Sequence, residues 1–251
     1  MVSRYSVTLN NVSMSSLNAN LYISDISYAP AEEEISVARF AGRSGGLVTH
    51  RRKNQASVTI SFELHIYGTA ARQDACAAVI AWAKDGGVLK TGDRSGQYLQ
   101  CVCTKLPSVE SALRWTDALT VEFTAYAIPY WQNVTATAAT ITGTGTLNVP
   151  GNGGKAMVDA EITASASLTS LSISVGDTTI ALSGISLSSG DKVKITHDEN
   201  GILSIKKGTT SLLNKRTAAS SDDLLAVCGA ANTITVSANA SAAVSVKGVW
   251  H

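Results

Sequence analysis

Few side chains in this 251-residue chain stand in patterns that do chemistry. The histidines are His50, His65, His197 and His251. Two imidazoles four apart on one helix face would hold a zinc ion, and no pair here has a metal-ligand spacing. His65 falls on the polar side of an alternating segment, and His197 ends another beside Asp198 and Glu199. Neither has the partner constellation that a general base needs, so each reads as a solvated or structural histidine. Gly42-Arg43-Ser44-Gly45-Gly46 spells the Gly-x-Ser-x-Gly of a nucleophile elbow. That motif works only where a strand runs into the serine and a helix leaves it. Residues 35–40 supply a strand pattern, but Leu47-Val48-Thr49-His50 has no helical one, and the segment reads as a flexible Gly/Ser loop.

The carboxylates Asp177, Asp191, Asp198, Glu199, Asp222 and Asp223 would suit calcium by type, yet they fall in separate turns and match no calcium-loop spacing. Asp favours turns in any case, because it bonds nearby backbone. Glu32-Glu33-Glu34, following Pro30, reads as a solvated loop. Arg51-Arg52-Lys53, with Arg43 and His50 nearby, is the one local concentration of positive charge. Nucleic-acid sites interleave aromatics with such a run, and none lies between Gly42 and Ser61; a solvated loop or a subunit contact is expected. Cys76, Cys101, Cys103 and Cys228 match no zinc or redox spacing and read as buried free thiols. No Gly-rich loop precedes a Lys-Ser or Lys-Thr phosphate cradle. The expectation is a non-enzyme with no catalytic, cofactor-binding or metal residue and no cofactor.

The elements that carry these residues are mostly strands. Hydrophobic residues make up 45% of the chain, enough for a sizeable core, and the net charge of +1 gives no general pull toward nucleic acid or anionic membrane. Met1-Val2-Ser3-Arg4-Tyr5-Ser6 lacks the apolar core of a signal peptide, and no apolar run reaches the length of a membrane span. The expected place is the cytoplasm of synthesis, or a particle assembled there. Residues 57–67 alternate strictly, with Val58, Ile60, Phe62, Leu64 and Ile66 on one side. Residues 118–127 do the same, and shorter strands are predicted at 5–9, 21–27, 35–40 and 98–104. One helix is predicted over 70–85, with Thr69 able to cap it, Cys76, Val79, Ile80 and Ala83 at helical spacing, and Gly86-Gly87 as its stop.

Composition changes near residue 132. After Trp131 the only aromatic residue is Trp250, and Ala, Ser, Thr and Gly dominate. Strands are predicted at 158–165, 171–175, 178–182, 192–197, 202–206, 233–237 and 243–249, separated by turns such as Gly176-Asp177 and Asn200-Gly201. That spacing suits a β-sandwich. The run Ile141-Thr142-Gly143-Thr144-Gly145-Thr146 reads as either a linker or an edge strand.

Taken in order, these features resemble the distal tail proteins of long-tailed phages. The match rests on the strand over 58–67 followed by the helix over 70–85, then on the close Phe123-Thr124-Ala125-Tyr126-Ala127-Ile128-Pro129-Tyr130-Trp131. Next comes the join Val149-Pro150-Gly151-Asn152-Gly153-Gly154, leading into Val158-Asp159-Ala160-Glu161-Ile162. Ser189-Gly190-Asp191-Lys192-Val193-Lys194-Ile195, Asp223-Leu224-Leu225 and Ala231-Asn232-Thr233-Ile234-Thr235-Val236 resemble elements of the family's second domain. The likeness extends over nearly the whole chain. The second domain departs from its galectin-like relatives in lacking aromatics.

The resemblance implies a mainly β protein. Residues 1–131 would be a β-sandwich-like, ring-forming tail-hub domain with one α-helix, and 132–251 a peripheral, galectin-like or jelly-roll β-sandwich. It implies a structural virion protein at the distal end of the tail, assembled in the host cytoplasm. Its partners would be itself, as a homo-oligomeric ring and most simply a hexamer, the tail tube protein, and tail-tip, tail-associated or receptor-binding proteins. DNA would only pass through the channel, and no membrane would be engaged. Two other classes compete. A carbohydrate-binding adhesin of a virion or cell surface predicts aromatic sugar platforms. A cell-wall hydrolase predicts paired carboxylates in one cleft.

Overall fold

Val58, Ile60 and Phe62 are completely buried on one face of a single strand, as period-two alternation requires. The structure, a computed structural model, describes residues 6–39, 44, 46–65, 68–108 and 116–251. Two units divide the chain, one of residues 1–131 with His251 and one of residues 132–250.

The first unit contains β1 (Val7–Leu9), β2 (Val12–Ser13), β3 (Leu21–Ala29), β4 (Glu33–Arg39), β5 (Gly46–Lys53), β6 (Ser57–His65), α1 (Thr69–Ala83), β7 (Gly87–Thr91), β8 (Gln97–Lys105) and β9 (Thr116–Ala125). Seven of these strands form an antiparallel path in the order β2-β1-β7-β8-β9-β6-β3. Register places Val58 opposite Phe123, Ile60 opposite Val121 and Phe62 opposite Leu119, so the two predicted long strands line one apolar face together. Helix α1 buries Ala75, Cys76, Val79 and Ala83, and Trp82 meets the Phe123 ring edge-on at 6.0 Å. Thr69 does not cap this helix. Gly68 occupies the cap with a φ of 102°, a conformation that suits glycine, and Thr69 is the first helical residue. The helix stops as expected. Gly86 has a φ of 64°, and a Cβ there would lie 2.3 Å from the Cys101 carbonyl oxygen, so the passage of β8 demands glycine.

Strands β4 and β5 form a separate two-stranded sheet, which corrects the loop expected at Glu33-Glu34 and the loop half of the reading for Arg51-Arg52-Lys53. Glu33 and Glu34 lie on β4 rather than in a loop, and Arg51, Arg52 and Lys53 lie on β5. Glu33-Glu34 and Arg51-Arg52-Lys53 are runs of like charge and show no alternation in hydrophobicity. Cross-strand register instead sets Glu33 opposite Lys53 and Glu34 opposite Arg52, residues of opposite sign at facing positions.

The short β10 (Trp131–Asn133) leads along the chain into the second unit. That unit contains β11 (Thr137–Thr142), β12 (Thr144–Asn148), β13 (Lys155–Ala164), β14 (Leu168–Val175), β15 (Thr178–Leu187), β16 (Lys192–His197), β17 (Leu203–Lys207), β18 (Thr210–Ser211), β19 (Leu225–Val227), β20 (Ala231–Val236), β21 (Ala240–Val246) and β22 (Val249–Trp250). One sheet runs β11-β21-β13-β16-β17-β18, with β19 also on β13; the other runs β12-β20-β14-β15. Ile162, Val193, Ile195, Ile205 and Val244 from the first sheet are buried, as are Ile173, Val175, Ile180, Leu182 and Ile234 from the second. Two antiparallel sheets, each with one buried face, make a β-sandwich. The whole chain is thus mainly β with a single long helix among the described residues. The run left open between linker and edge strand is an edge strand twice over, because Gly143, at a φ of 69°, breaks it into β11 and β12.

Candidate assembly surface

The β4–β5 ribbon carries three of the exposed large apolar side chains of the first unit. It springs from between β3 and β6, which pair with each other, and its base is closed by the Asn54 amide donating to the Glu32 carbonyl at 2.8 Å. Ala31 and Ala56 are buried at that base. Beyond it, Val37 pairs with Val48 across the ribbon, and Ile35 shares their face two residues along. Their exposures are 53%, 49% and 45%. A bulge at Thr49 shifts the register between Ser36 and Val37, and the Thr49 hydroxyl donates to the Ser36 carbonyl at 3.2 Å. A two-stranded ribbon is marginal by itself in water, and these three exposed β-branched residues lie together on one of its faces.

The residues singled out for chemistry lie apart. Gly42, Arg43 and Gly45 of the Gly-x-Ser-x-Gly motif lie outside the described residues. Strand β5 rather than a helix follows Ser44, which is the wrong context for a nucleophile elbow. His50 sits on β5. His65 places Nε2 3.0 Å from Glu63 Oε2 and packs edge-on against Tyr22. His251 packs edge-on against Tyr130.

His197 is structural. Its side chain is 5% exposed, with Nδ1 3.1 Å from Asp159 Oδ1 and Nε2 3.8 Å from Asp223 Oδ1. Asp159 Oδ1 also accepts the His197 backbone amide at 2.9 Å. A carboxylate orienting an imidazole is half of a general-base arrangement, but this Nε2 is itself buried where a substrate does not reach it.

Of the six carboxylates weighed for calcium, Asp198 accepts the amides of Asn200 and Ile202, closing its own turn. Asp191 accepts the Ser188 amide and an ion pair from Lys207 at 2.6 Å; the Lys207 bond, then the amide, holds its carboxyl below the usual range. Asp222 is exposed 3.9 Å from Arg216, and Asp177 and Glu199 are exposed in turns. No group of three or more His, Cys, Asp or Glu residues is arranged for a metal among the described residues. All four cysteines are free thiols; Cys76, Cys101 and Cys228 are buried, and burial pushes Cys101 up to about 12.

One cluster carries no sequence signal. Arg94 stacks its guanidinium over the rings of Tyr28 and Trp131, at 4.8 and 4.9 Å from their centroids. The Tyr28 hydroxyl donates to Asp93 Oδ1 at 2.5 Å and lies 3.0 Å from Thr91 Oγ1. Burial, then the bond to Asp93, raises the phenol above its ordinary range. The cation gains from both ring faces, so the cluster fastens β3 to the turn after β7. Its members are far apart in sequence, and no spacing rule links them.

No protein-family model matches the chain, and no curated protein sequence resembles it closely enough to count. Solved structures do resemble it. Two chains of the phage P2 baseplate, in its activated conformation with Ca or Sr, align at 12% identity over 97–99% of both chains, but at a TM-score of 0.46, too low to establish a shared fold. The SPP1 Dit (gp 19.1) protein, described as a paradigm of the hub adsorption apparatus in phages infecting Gram-positive hosts, aligns at 9% identity over 98% of this chain and 99% of its own, with a TM-score of 0.72. At that identity the likeness is one of fold, and over nearly its full length this chain has the fold of the SPP1 Dit protein.

Proposed function

We propose that this chain is a structural hub component of a phage tail. In this reading residues 1–131 close into a ring, most simply a hexamer, at the distal end of the tail. The ring joins the tail tube to tail-tip or baseplate proteins and leaves a channel for DNA. Residues 132–251 form the peripheral sandwich. The observation that carries this reading is the full-length fold likeness to the SPP1 Dit protein. A ring needs one surface of each copy to dock on a different surface of the next. The β4–β5 ribbon, with Ile35, Val37 and Val48 exposed, supplies the first of these. The adhesin alternative has one aromatic to offer in the second unit, the half-buried Trp250, whose indole donates to Asn133 Oδ1 at 2.8 Å.

Mass photometry and negative-stain imaging of the full chain test the proposal. The expected result is a closed ring, which Val37→Lys breaks into smaller species without moving the melting temperature, since Val37 is 53% exposed. A monomer at the highest attainable concentration, with and without tail tube protein, would overturn it.

A further inference from the structure

The second unit protects its sheet edges unequally. Outer strand β15 is covered: the amides of Ser221 and Thr217 donate to the carbonyls of Thr179 and Ala181, while Ser221 Oγ and Ser220 Oγ accept the amides of those same residues. At the far end of the other sheet, β18 is only two residues long. The opposite side, residues 137–148, has no such cover. It contains no Asp, Glu, Lys, Arg or Pro, the residues that normally blunt an edge.

Register fixes which backbone groups lie on that edge. The Val158 amide donates to Leu224 O and the Ala164 amide to Asp191 O, so even-numbered residues of β13 face β19 and β16. Its odd-numbered residues therefore bond β21 through Ser241, Ala243 and Ser245. Ala242, Val244 and Val246 are left to bond Ile141, Ala139 and Thr137 of β11. The amides and carbonyls of Ala138, Thr140 and Thr142 consequently point away from the sheet. These three residues are exposed, and their outward groups make no hydrogen bond among the described residues.

We propose that a second copy of this chain pairs here, β11 against β11, antiparallel about a twofold axis through Thr140. The edge is complementary to itself in this register, and it carries no charge to repel a copy. Setting Thr140 opposite Thr140 sets Ala138 opposite Thr142, so every outward group meets an outward group, about six hydrogen bonds in all. Ala139 then faces Ile141 on the core side, and the apolar row continues across the axis. A one-residue slip would set core-side against solvent-side residues. The contact is isologous, using one patch on both copies, and no charge opposes it. It uses residues of the second unit alone.

Oxidative cross-linking of the full chain tests the pairing. In hydrogen-bonded register the two Thr140 Cα atoms lie about 5.5 Å apart, within disulfide reach. The two Ala138 Cα atoms lie about 14 Å apart. Thr140→Cys is expected to give at least tenfold more disulfide-linked dimer on a non-reducing gel than either wild type or Ala138→Cys. Thr140→Pro, tolerated where the amide faces solvent, is expected to lower the sedimenting mass while leaving the melting temperature unchanged. Equal cross-linking at positions 138 and 140, or no cross-link together with an unaltered mass for Thr140→Pro, would overturn the proposal.

Discussion

The two units answer the same packing problem with different side chains. In the first, one seven-strand sheet carries a single helix, and the space between a flat sheet and a cylinder is irregular. Large rings fill it: Phe62 and Phe123 lie fully buried, and Trp82 reaches Phe123 from the helix. In the second, two sheets face each other across a gap of about 10 Å, which Val, Ile and Leu fill from both sides. Ile162, Ile173, Val193 and Val244 suffice there, and no aromatic occurs between Trp131 and Trp250. The composition break in the chain thus records a change from sheet-and-helix to sheet-on-sheet packing.

Three experiments press on that contrast. Val79→Asp puts a carboxylate at a completely buried helix position and is expected to cost the first unit about 4 kcal/mol or more. Trp82 and Trp131 belong to that unit, so tryptophan emission during thermal melting should report the loss. An unchanged transition would mean that this helix face is not core. Ile173→Ala, fully buried in the sandwich, is expected to cost about 3 kcal/mol in the second unit. Far-UV circular dichroism should register it, and a loss below about 1 kcal/mol would mean that the aliphatic core collapses onto the vacancy.

The smallest expected effect concerns pH. Glu161 is held below its usual range first by its bond to Lys192, then by Lys194, and Asp191 first by Lys207. A carboxyl whose folded pKa lies below its unfolded value contributes stability above the unfolded value, near 4, and loses it as pH falls through the folded one. Lys207→Met should therefore leave melting near neutral pH only slightly lowered and flatten the fall below about pH 4. Both groups are solvent-facing, so an acid limb identical to wild type would show that screening cancels the pair.

What was legible in the sequence was whatever had one wet and one dry side. Strands β6, β9 and β13 alternate because half of each is buried, and α1 shows its inward residues at helical spacing. Of the β4–β5 ribbon, the strand at 35–40 was legible, but Glu33-Glu34 and Arg51-Arg52-Lys53 looked like loops, because consecutive charged residues show no alternation. Strand β7 (Gly87–Thr91) escaped because it begins within the Gly-Gly stop of the helix. The stack of Arg94 on Tyr28 and Trp131 was invisible, since it joins residues more than sixty positions apart in one direction and more than thirty in the other. His197 read as solvated or structural, and Asp159 decides for the second; only the β13–β16 register brings the two together.

The nesting of the ribbon inside the β3–β6 pair also has a kinetic meaning. Closing β3 directly on β6 would mean bringing Ala29 to Ser57 around an unstructured loop, and the entropy lost grows with that loop's length. If the β4–β5 turn forms first, each later pairing closes only the next rung: Glu33 on Lys53, Glu32 on Asn54, then Ala29 on Ser57. Residues 21–65 can therefore zip as one growing hairpin on the microsecond scale of hairpin formation, with only local contacts at every step. The same ribbon that presents an apolar face outward would then act as the starter of the sheet behind it.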